Sequence, residues 1–481
     1  MSTRRSGPFA APVGGTVGGG AGGGGTVGDA LGAVLTGPPR RPPRFTVERT
    51  DAVLAYHDLR REVFVGEQGV FAHDDRDDHD EDPRLVVLAA HAPDGRYLGG
   101  VRLGPVTGTD IGWWFGGRLA VTPEGRRVGG VGAALVRAAV AHAEAAGALR
   151  FDATVLPANE RFFARLGWQR VRSVQVAGRR HVLMRRPMGR IASAAAGKAP
   201  LGELLAGLAP GGPGYVGDDG VPVPGSDVVA ACDAIVPSMV ERDPWWAGWC
   251  SVLVNVNDLA AMGAEPVGLL DAVAGRDVAA VRAVLAGLRA AATAYAVPVL
   301  GGHTQLGVPA ALSVTALGRA AAPVRGGGGR PGQAVRLTAD LGGGWRPGYT
   351  GRQWDSTSTR RTPELRAMLG AVAAARPAAA KDVSMAGIAG TLGMLAEASG
   401  CGAVLDVAAV PRPDGASAGD WLTCFPGFGM LTAGGPVLDA GPATGGECGE
   451  LVHGAGVALR WPDGELTEAV AGPVTGMGIA S

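Results

Sequence analysis

At 481 residues the chain exceeds one ordinary hydrophobic core, and an apolar content of 46% suffices to bury two or three. Its 44 basic and 44 acidic residues cancel, which removes any global field toward nucleic acid or anionic lipid and points to small-molecule partners. Five scattered cysteines form neither CxxC pairs nor a disulfide framework, no apolar run reaches the roughly 18 residues of a membrane span, and the first residues lack a secretory apolar stretch, so a cytoplasmic protein is expected.

Residues 1–44 are rich in Gly, Pro and Arg and are expected to be a disordered tail. Periodic sequence begins at Phe45, where FTVERT alternates as a strand and DAVLAYHDLRREVFV carries apolar residues at helical spacing. The run HDDRDDHDEDP, residues 73–83, packs seven carboxylates into eleven positions. It reads as a solvated acidic loop or as a rim attracting an amine, with Glu67 or Asp80 deprotonating that amine. In LAVTPEGRRVGGVGAALVRAAVAHAEAAG a strand passes through a turn into an amphipathic helix. Arg127, Gly130, Val131 and Gly132 stand at that junction, where glycines let the main chain approach a pyrophosphate at the positive end of the helix dipole. With 81 glycines in the chain, this pattern alone says little. Downstream, FDATVLPANERFFARLGWQRV reads as strand, Asn-containing loop, short helix and strand.

Together these segments resemble the GNAT acetyltransferases over residues 45–187. The resemblance implies a mixed central sheet with helices on both faces, acetyl-CoA bound at Arg127, Gly130, Val131 and Gly132, and Asn159 beside the pantetheine arm. Where the family often carries a tyrosine acid, this chain has Phe163, which donates no proton.

Residues 188–200 read as a low-information linker. Beyond it, strands alternate with Ala-rich helices in two α/β halves, 201–325 and 326–481, separated near a Gly-rich loop at 319–333. GDDG at 217–220 is followed by Asp233 in the strand AACDAIV, then by VNVNDLAAMGAEP, where Asn255, Asn257 and Asp258 are expected at the end of a strand just before a helix. LGGHTQLG and AAKDVSMAGIAGTLG complete the set. Carboxylates so distributed suit Mg²⁺, an oxygen-seeking cation that bridges nucleotide phosphates.

This ordered set resembles the superfamily of aminoimidazole ribonucleotide synthetase, thiamine monophosphate kinase and selenophosphate synthetase. The resemblance implies ATP and Mg²⁺ bound at a homodimer interface, with Asp218, Asp219, Asp233, Asp258 and Asp382 toward metal and Asn257, His303 and Lys381 toward nucleotide. His303 stands where kinase-like members carry Asp, which disfavours thiamine phosphate kinase activity. Lys381, one of only two lysines, is a phosphate contact or a surface residue, and Cys232 reads as a buried strand residue. The whole chain, α/β with α+β character, resembles the fusions found in bacterial nitrilase-associated gene clusters. It implies an N-acyltransferase joined to an ATP-dependent phosphotransferase or synthase, acting on a small amine and on a phosphorylatable or ATP-activated metabolite. The alternative is a catalytically degenerate module that binds acetyl-CoA and ATP for regulation.

Overall fold

The computed structural model describes residues 44–51, 53–208 and 210–480, so the tail expected over 1–44 lies, but for Arg44, outside the described residues. The first domain is a seven-stranded sheet in the order β1 (Thr46–Arg49), β2 (Val86–His91), β3 (Tyr97–Pro105), β4 (Trp113–Val121), β5 (Arg150–Val155), β7 (Arg179–Arg186), β6 (Gln169–Val176). Every pair is antiparallel except β4 with β5. A parallel pair needs a crossover, which the helix Val131–Ala145 supplies, burying Val131, Leu135, Val136, Ala139 and Ala143 on its sheet-facing stripe. β4 and β5 pair only from Trp113–Gly116 and Arg150–Ala153; both strands then continue without pairing to each other and diverge into a cleft.

The next five strands, β8 (Val221–Pro222), β9 (Val228–Ala234), β10 (Glu265–Gly275), β11 (Val299–Leu306) and β12 (Ala311–Arg319), form a sheet ordered β11-β10-β12-β9-β8. One face is covered by the helix Pro244–Ala261, with the helix Val278–Tyr295 packed along it. These helices touch through glycine. A Cβ on Gly248 would lie 2.0 Å from the Val284 carbonyl and one on Gly287 1.8 Å from that of Trp245. The helix Val278–Tyr295 has the length and hydropathy of a membrane span, yet it buries Val281, Val284, Leu288 and Ala291 in this core. VNVNDL was expected to close a strand. It lies instead inside the helix Pro244–Ala261, which starts where Asp243 accepts a hydrogen bond from the Trp246 amide and Pro244 presets the first turn. A helix buried on nearly all sides loses the polar stripe that distinguishes it from a buried strand. Cys232, expected to be buried, faces outward from β9.

The last part holds a seven-stranded sheet, β16-β19-β13-β20-β17-β21-β22, and a small one, β14-β15-β18. Their spans are β13 (Ala334–Ala339), β14 (Gly344–Trp345), β15 (Gln353–Asp355), β16 (Ala379–Asp382), β17 (Gly402–Asp406), β18 (Phe425–Pro426), β19 (Gly429–Ala433), β20 (Thr444–Val452), β21 (Val457–Arg460) and β22 (Leu466–Val470).

The linker proves to be structural. Its helix Arg190–Ala196 buries Ile191 and Ala195 against the helices Gly387–Ala398 and Ala418–Thr423. Ile111 and Leu149 of the first domain join Ile191, Leu392, Trp421 and Trp461 in one core. At its edge Arg150, 1% exposed, pairs with Asp152 at 2.7 Å, Asp463 at 2.8 Å and Glu465 at 2.9 Å, and its guanidinium lies 3.9 Å from the Trp113 ring centre. Arg185 adds a 2.8 Å pair to Glu465, and the Gly419 amide donates to the Gly147 carbonyl at 3.0 Å. Arg150→Ala leaves three carboxylates short of their shared cation, a loss on the order of 3–5 kcal/mol for a buried pair. In scanning calorimetry the variant is expected to resolve two unfolding transitions where the parent protein shows one; a single unshifted transition would contradict this coupling.

Candidate functional site

Two regions gather polar side chains in a manner that packing does not require. In the second domain, Asp219 from the loop before β8, Asp258 from the helix Pro244–Ala261 and Asp382 from the end of β16 bring carboxylate oxygens within 4.8 Å of one another. Asp258 and Asp382 are buried. Burial pushes both carboxyls well above their ordinary range; the charges of Asp382, Asp233 and Asp219 add to this at Asp258, and those of Asp219 and Asp233 at Asp382. Asp258 lies inside its helix and not at a strand end.

Lys381 is 2% exposed, which rules out the surface alternative. Its Nζ donates to Asp219 Oδ1 at 2.5 Å and to the Gly217 carbonyl at 2.8 Å, while the Asp382 amide donates to Asp219 Oδ2 at 3.0 Å. Asp218 turns toward the Gly-rich loop, where its Oδ1 accepts from the Gly326 amide at 2.9 Å; Oδ2 is buried without a partner, and burial pushes the carboxyl up to about 7. The amide of Asp233 is held by Asn255 Oδ1 at 3.2 Å. Asn257 donates to the Gly427 carbonyl at 3.0 Å, and its Oδ1 has no partner.

Lys198 was passed over in sequence because it falls in the linker. It lies close enough to Asp233 to oppose the upward shift that burial imposes on that carboxyl, so both lysines of the chain serve one acidic cluster. His303 is not brought to the cluster. It sits on β11, opposite Ala272 of β10, along an edge strand whose residues are all exposed.

In the first domain the turn Gly129–Gly130 takes φ of +75° and +80°, conformations that L side chains avoid, and opens the N-terminus of the helix Val131–Ala145. Gly130, Val131, Gly132 and Asn159 line a cleft of about 440 Å³. It shares Gln68, Leu119, Asn159 and Phe163 with a second cavity of about 110 Å³ between the diverging ends of β4 and β5, so the two form one groove. Arg127 does not line it. The helix Pro123–Val128 presents Arg126 to the cleft instead, because adjacent helical residues point about 100° apart.

Glu67 pairs with Arg126 at 2.6 Å at the glycine end of the groove, away from the cavity between the strands, which does not suit it to deprotonate an acceptor there. Phe163 is buried against Trp168, edge to face at 5.5 Å. The inner cavity also holds His181, which the sequence reading did not single out because nothing near it forms a motif.

The acidic run 73–83 leaves Asp74, Asp78 and Glu81 exposed, but three of its carboxylates are taken up by the fold. The side chains of Asp75 and Asp80 are buried and, with Asp77, compensate three arginines. Arg60 meets Asp75 at 2.8 Å and Asp80 at 2.5 Å; Arg102 meets Asp80 and Asp77, each at 2.5 Å; Arg118 meets Asp75 at 3.1 Å and Asp77 at 3.0 Å. Burial alone would raise the Asp80 carboxyl, but hydrogen bonds from Arg60 and Arg102 outweigh it and hold it far below the carboxylate range. Asp80 is thus a structural anion and not the expected base. Its contribution is complete above the unfolded carboxyl value of about 3.9 and disappears as pH falls below it toward the folded value. Asp80→Asn is expected to cost roughly 3–5 kcal/mol, since two buried guanidiniums lose a partner. Thermal unfolding at pH 7 against pH 3 checks this: the gap between parent and variant narrows in acid, whereas a constant gap would refute the charge argument.

Comparison with known proteins finds relatives for both domains. The family model for the N-terminal domain of AIR synthase related proteins matches residues 217–320, that for their C-terminal domain residues 330–433, and that for the GNAT acetyltransferase family residues 53–168. An uncharacterized protein of Synechocystis is 38% identical over 224 residues, 45% of this chain and 69% of that one. A thiamine-monophosphate kinase of Halobacterium salinarum is 30% identical over 223 residues, 44% of this chain and 74% of its own. The crystal structure of thiamine monophosphate kinase from Aquifex aeolicus aligns with 53% of this chain and 93% of its own at 19% identity, with a TM-score of 0.41. The chain therefore belongs to the AIR synthase related family through its second domain, with a GNAT acetyltransferase domain joined ahead of it.

Proposed function

We propose that the chain is a cytoplasmic bifunctional enzyme. The first domain would transfer an acyl group from acetyl-CoA to the amine of a small molecule, and the second would bind Mg-ATP and phosphorylate or activate a metabolite. The observation that carries the second half of this reading is the triad of half-buried Asp219 with buried Asp258 and Asp382, whose negative charge Lys381 alone does not offset. Its donor set is all oxygen, which fits Mg²⁺ and not a softer metal. A Mg²⁺ held there would neutralise nucleotide phosphates and carboxylates together. The chain's own part is positional: Lys381 fixes Asp219, the Asp382 amide fixes its other oxygen, and the interior of a helix fixes Asp258. Asp218 and the Gly-rich loop beside it supply a further polar wall for phosphate groups.

Asp258→Asn keeps the shape of the side chain and removes its charge. The stabilisation that Mg-ATP confers in a thermal-shift titration is expected to fall by at least about 1 kcal/mol, the scale of a charge-assisted contact. Equal shifts in parent and variant across the Mg²⁺ range would remove Asp258 from the metal site and favour the regulatory alternative.

We also propose a homodimer through the second domain. β11 ends its sheet with every residue exposed, including Val299, Leu300 and Leu306, and Leu270 of β10 faces the same solvent. An open apolar edge of this kind invites pairing with a second copy. Sedimentation at micromolar concentration is expected to show a dimer, and Leu300→Arg a monomer; a monomeric parent protein would overturn the assembly.

A further inference from the structure

We propose that His181 is the proton-transfer residue of the first domain, serving as base toward the acceptor amine and then as acid toward the departing thiolate; this rests on the acyltransferase reading above. His181 follows the β6–β7 turn and is 6% exposed. Its Nδ1 lies 3.0 Å from the Arg179 carbonyl oxygen, which can only accept, so Nδ1 carries the proton and Nε2 keeps a free lone pair. The ring lines the inner cavity where β4 and β5 part, continuous through Gln68 and Asn159 with the glycine turn at the helix N-terminus.

The other polar groups lining that cavity do not suit the task. Gln68 and Asn159 are amides and Thr154 an alcohol, none of which exchanges a proton readily near neutral pH. Arg118, the charged side chain of the lining, is tied to Asp75 and Asp77 and stays protonated. Phe163 has no proton to give, and Glu67 is paired to Arg126 at the far end of the groove. An imidazole can both accept and donate a proton, which suits it to both directions of transfer.

The step balances. The neutral amine nitrogen attacks the thioester carbonyl carbon and a C–N bond forms. His181 Nε2 takes the proton that the nitrogen sheds. The C–S bond breaks, and the imidazolium returns that proton to the sulfur, leaving amide, free thiol and neutral His181.

Bromoacetyl-CoA places an alkylating carbon where the acyl group would sit, so Nε2 within reach displaces bromide and forms an N–C bond. The full chain is treated with this reagent and mapped by mass spectrometry, beside His181→Asn, whose amide nitrogen keeps the place of Nδ1 against Arg179. Coenzyme A affinity is measured by calorimetry, and thiol release from acetyl-CoA is followed with hydroxylamine as a small acceptor. We expect one label on His181, blocked by excess coenzyme A and absent from the variant. Coenzyme A should bind the variant within about twofold of the parent, while thiol release falls roughly 10²-fold, the scale of lost general acid–base catalysis. Labelling elsewhere, or thiol release unchanged in the variant, with coenzyme A affinity intact, would overturn the role of His181 and leave the acyltransferase reading standing. A parent protein that neither binds coenzyme A nor releases thiol would overturn that reading and this one with it.

Discussion

Carboxylates withdrawn from water must meet positive charge, and where that charge comes from governs both domains. The Asp219 to Lys381 contact is the pivot of the second site. One buried ammonium holds one of three clustered carboxylates, and burial together with the surrounding carboxylate charge raises the affinity of the remaining two for a proton. Such an arrangement is incomplete by construction, because the fold collects more negative charge than it brings positive charge to answer. The acidic run of the first domain is its converse. Asp75, Asp77 and Asp80 are answered one for one by Arg60, Arg102 and Arg118. A closed set of buried charges is architecture; an open set leaves negative charge unanswered.

The same rule explains how the two domains are held. Arg150 is buried between Trp113 and Trp461 and satisfies one carboxylate from its own domain and two from the other, so neither domain closes its charge balance without its neighbour. Apolar contacts through Ile111, Leu149 and Ile191 extend one core across the junction. The segment 188–200 looks like a tether in composition because Ala, Gly and Ser carry little periodic signal, yet small residues are what allow the helix Arg190–Ala196 to lie close to its neighbours. A Cβ on Gly390 would approach Ala195 to 3.6 Å.

Much of the architecture was legible along the chain because strand alternation and amphipathic spacing are local. β1, β5, β6 and the helix Val131–Ala145 fall where the pattern places them. The glycine turn and Asn159 were legible for the same reason, since short motifs mark positions where backbone geometry is demanding. What failed was non-local. Asp258 could not be placed on a helix because burial on all sides erases periodicity. The partners of Asp80 lie up to 22 positions away, in Arg60 and Arg102, and no pattern in the run 73–83 announces them. His181 and Lys198 carry no motif at all, and only the folded chain brings them beside a cavity and an acidic cluster.

The junction also constrains how the halves cooperate. β4 and β5 leave the interface side by side, at Trp113 and Arg150, and part only after Gly116 and Ala153. The groove of the first domain therefore opens where the two strands part, and the contact with the second domain lies at their paired end. No described residue of the second domain lines that groove. The groove and the acidic cluster of the second domain share no described residue.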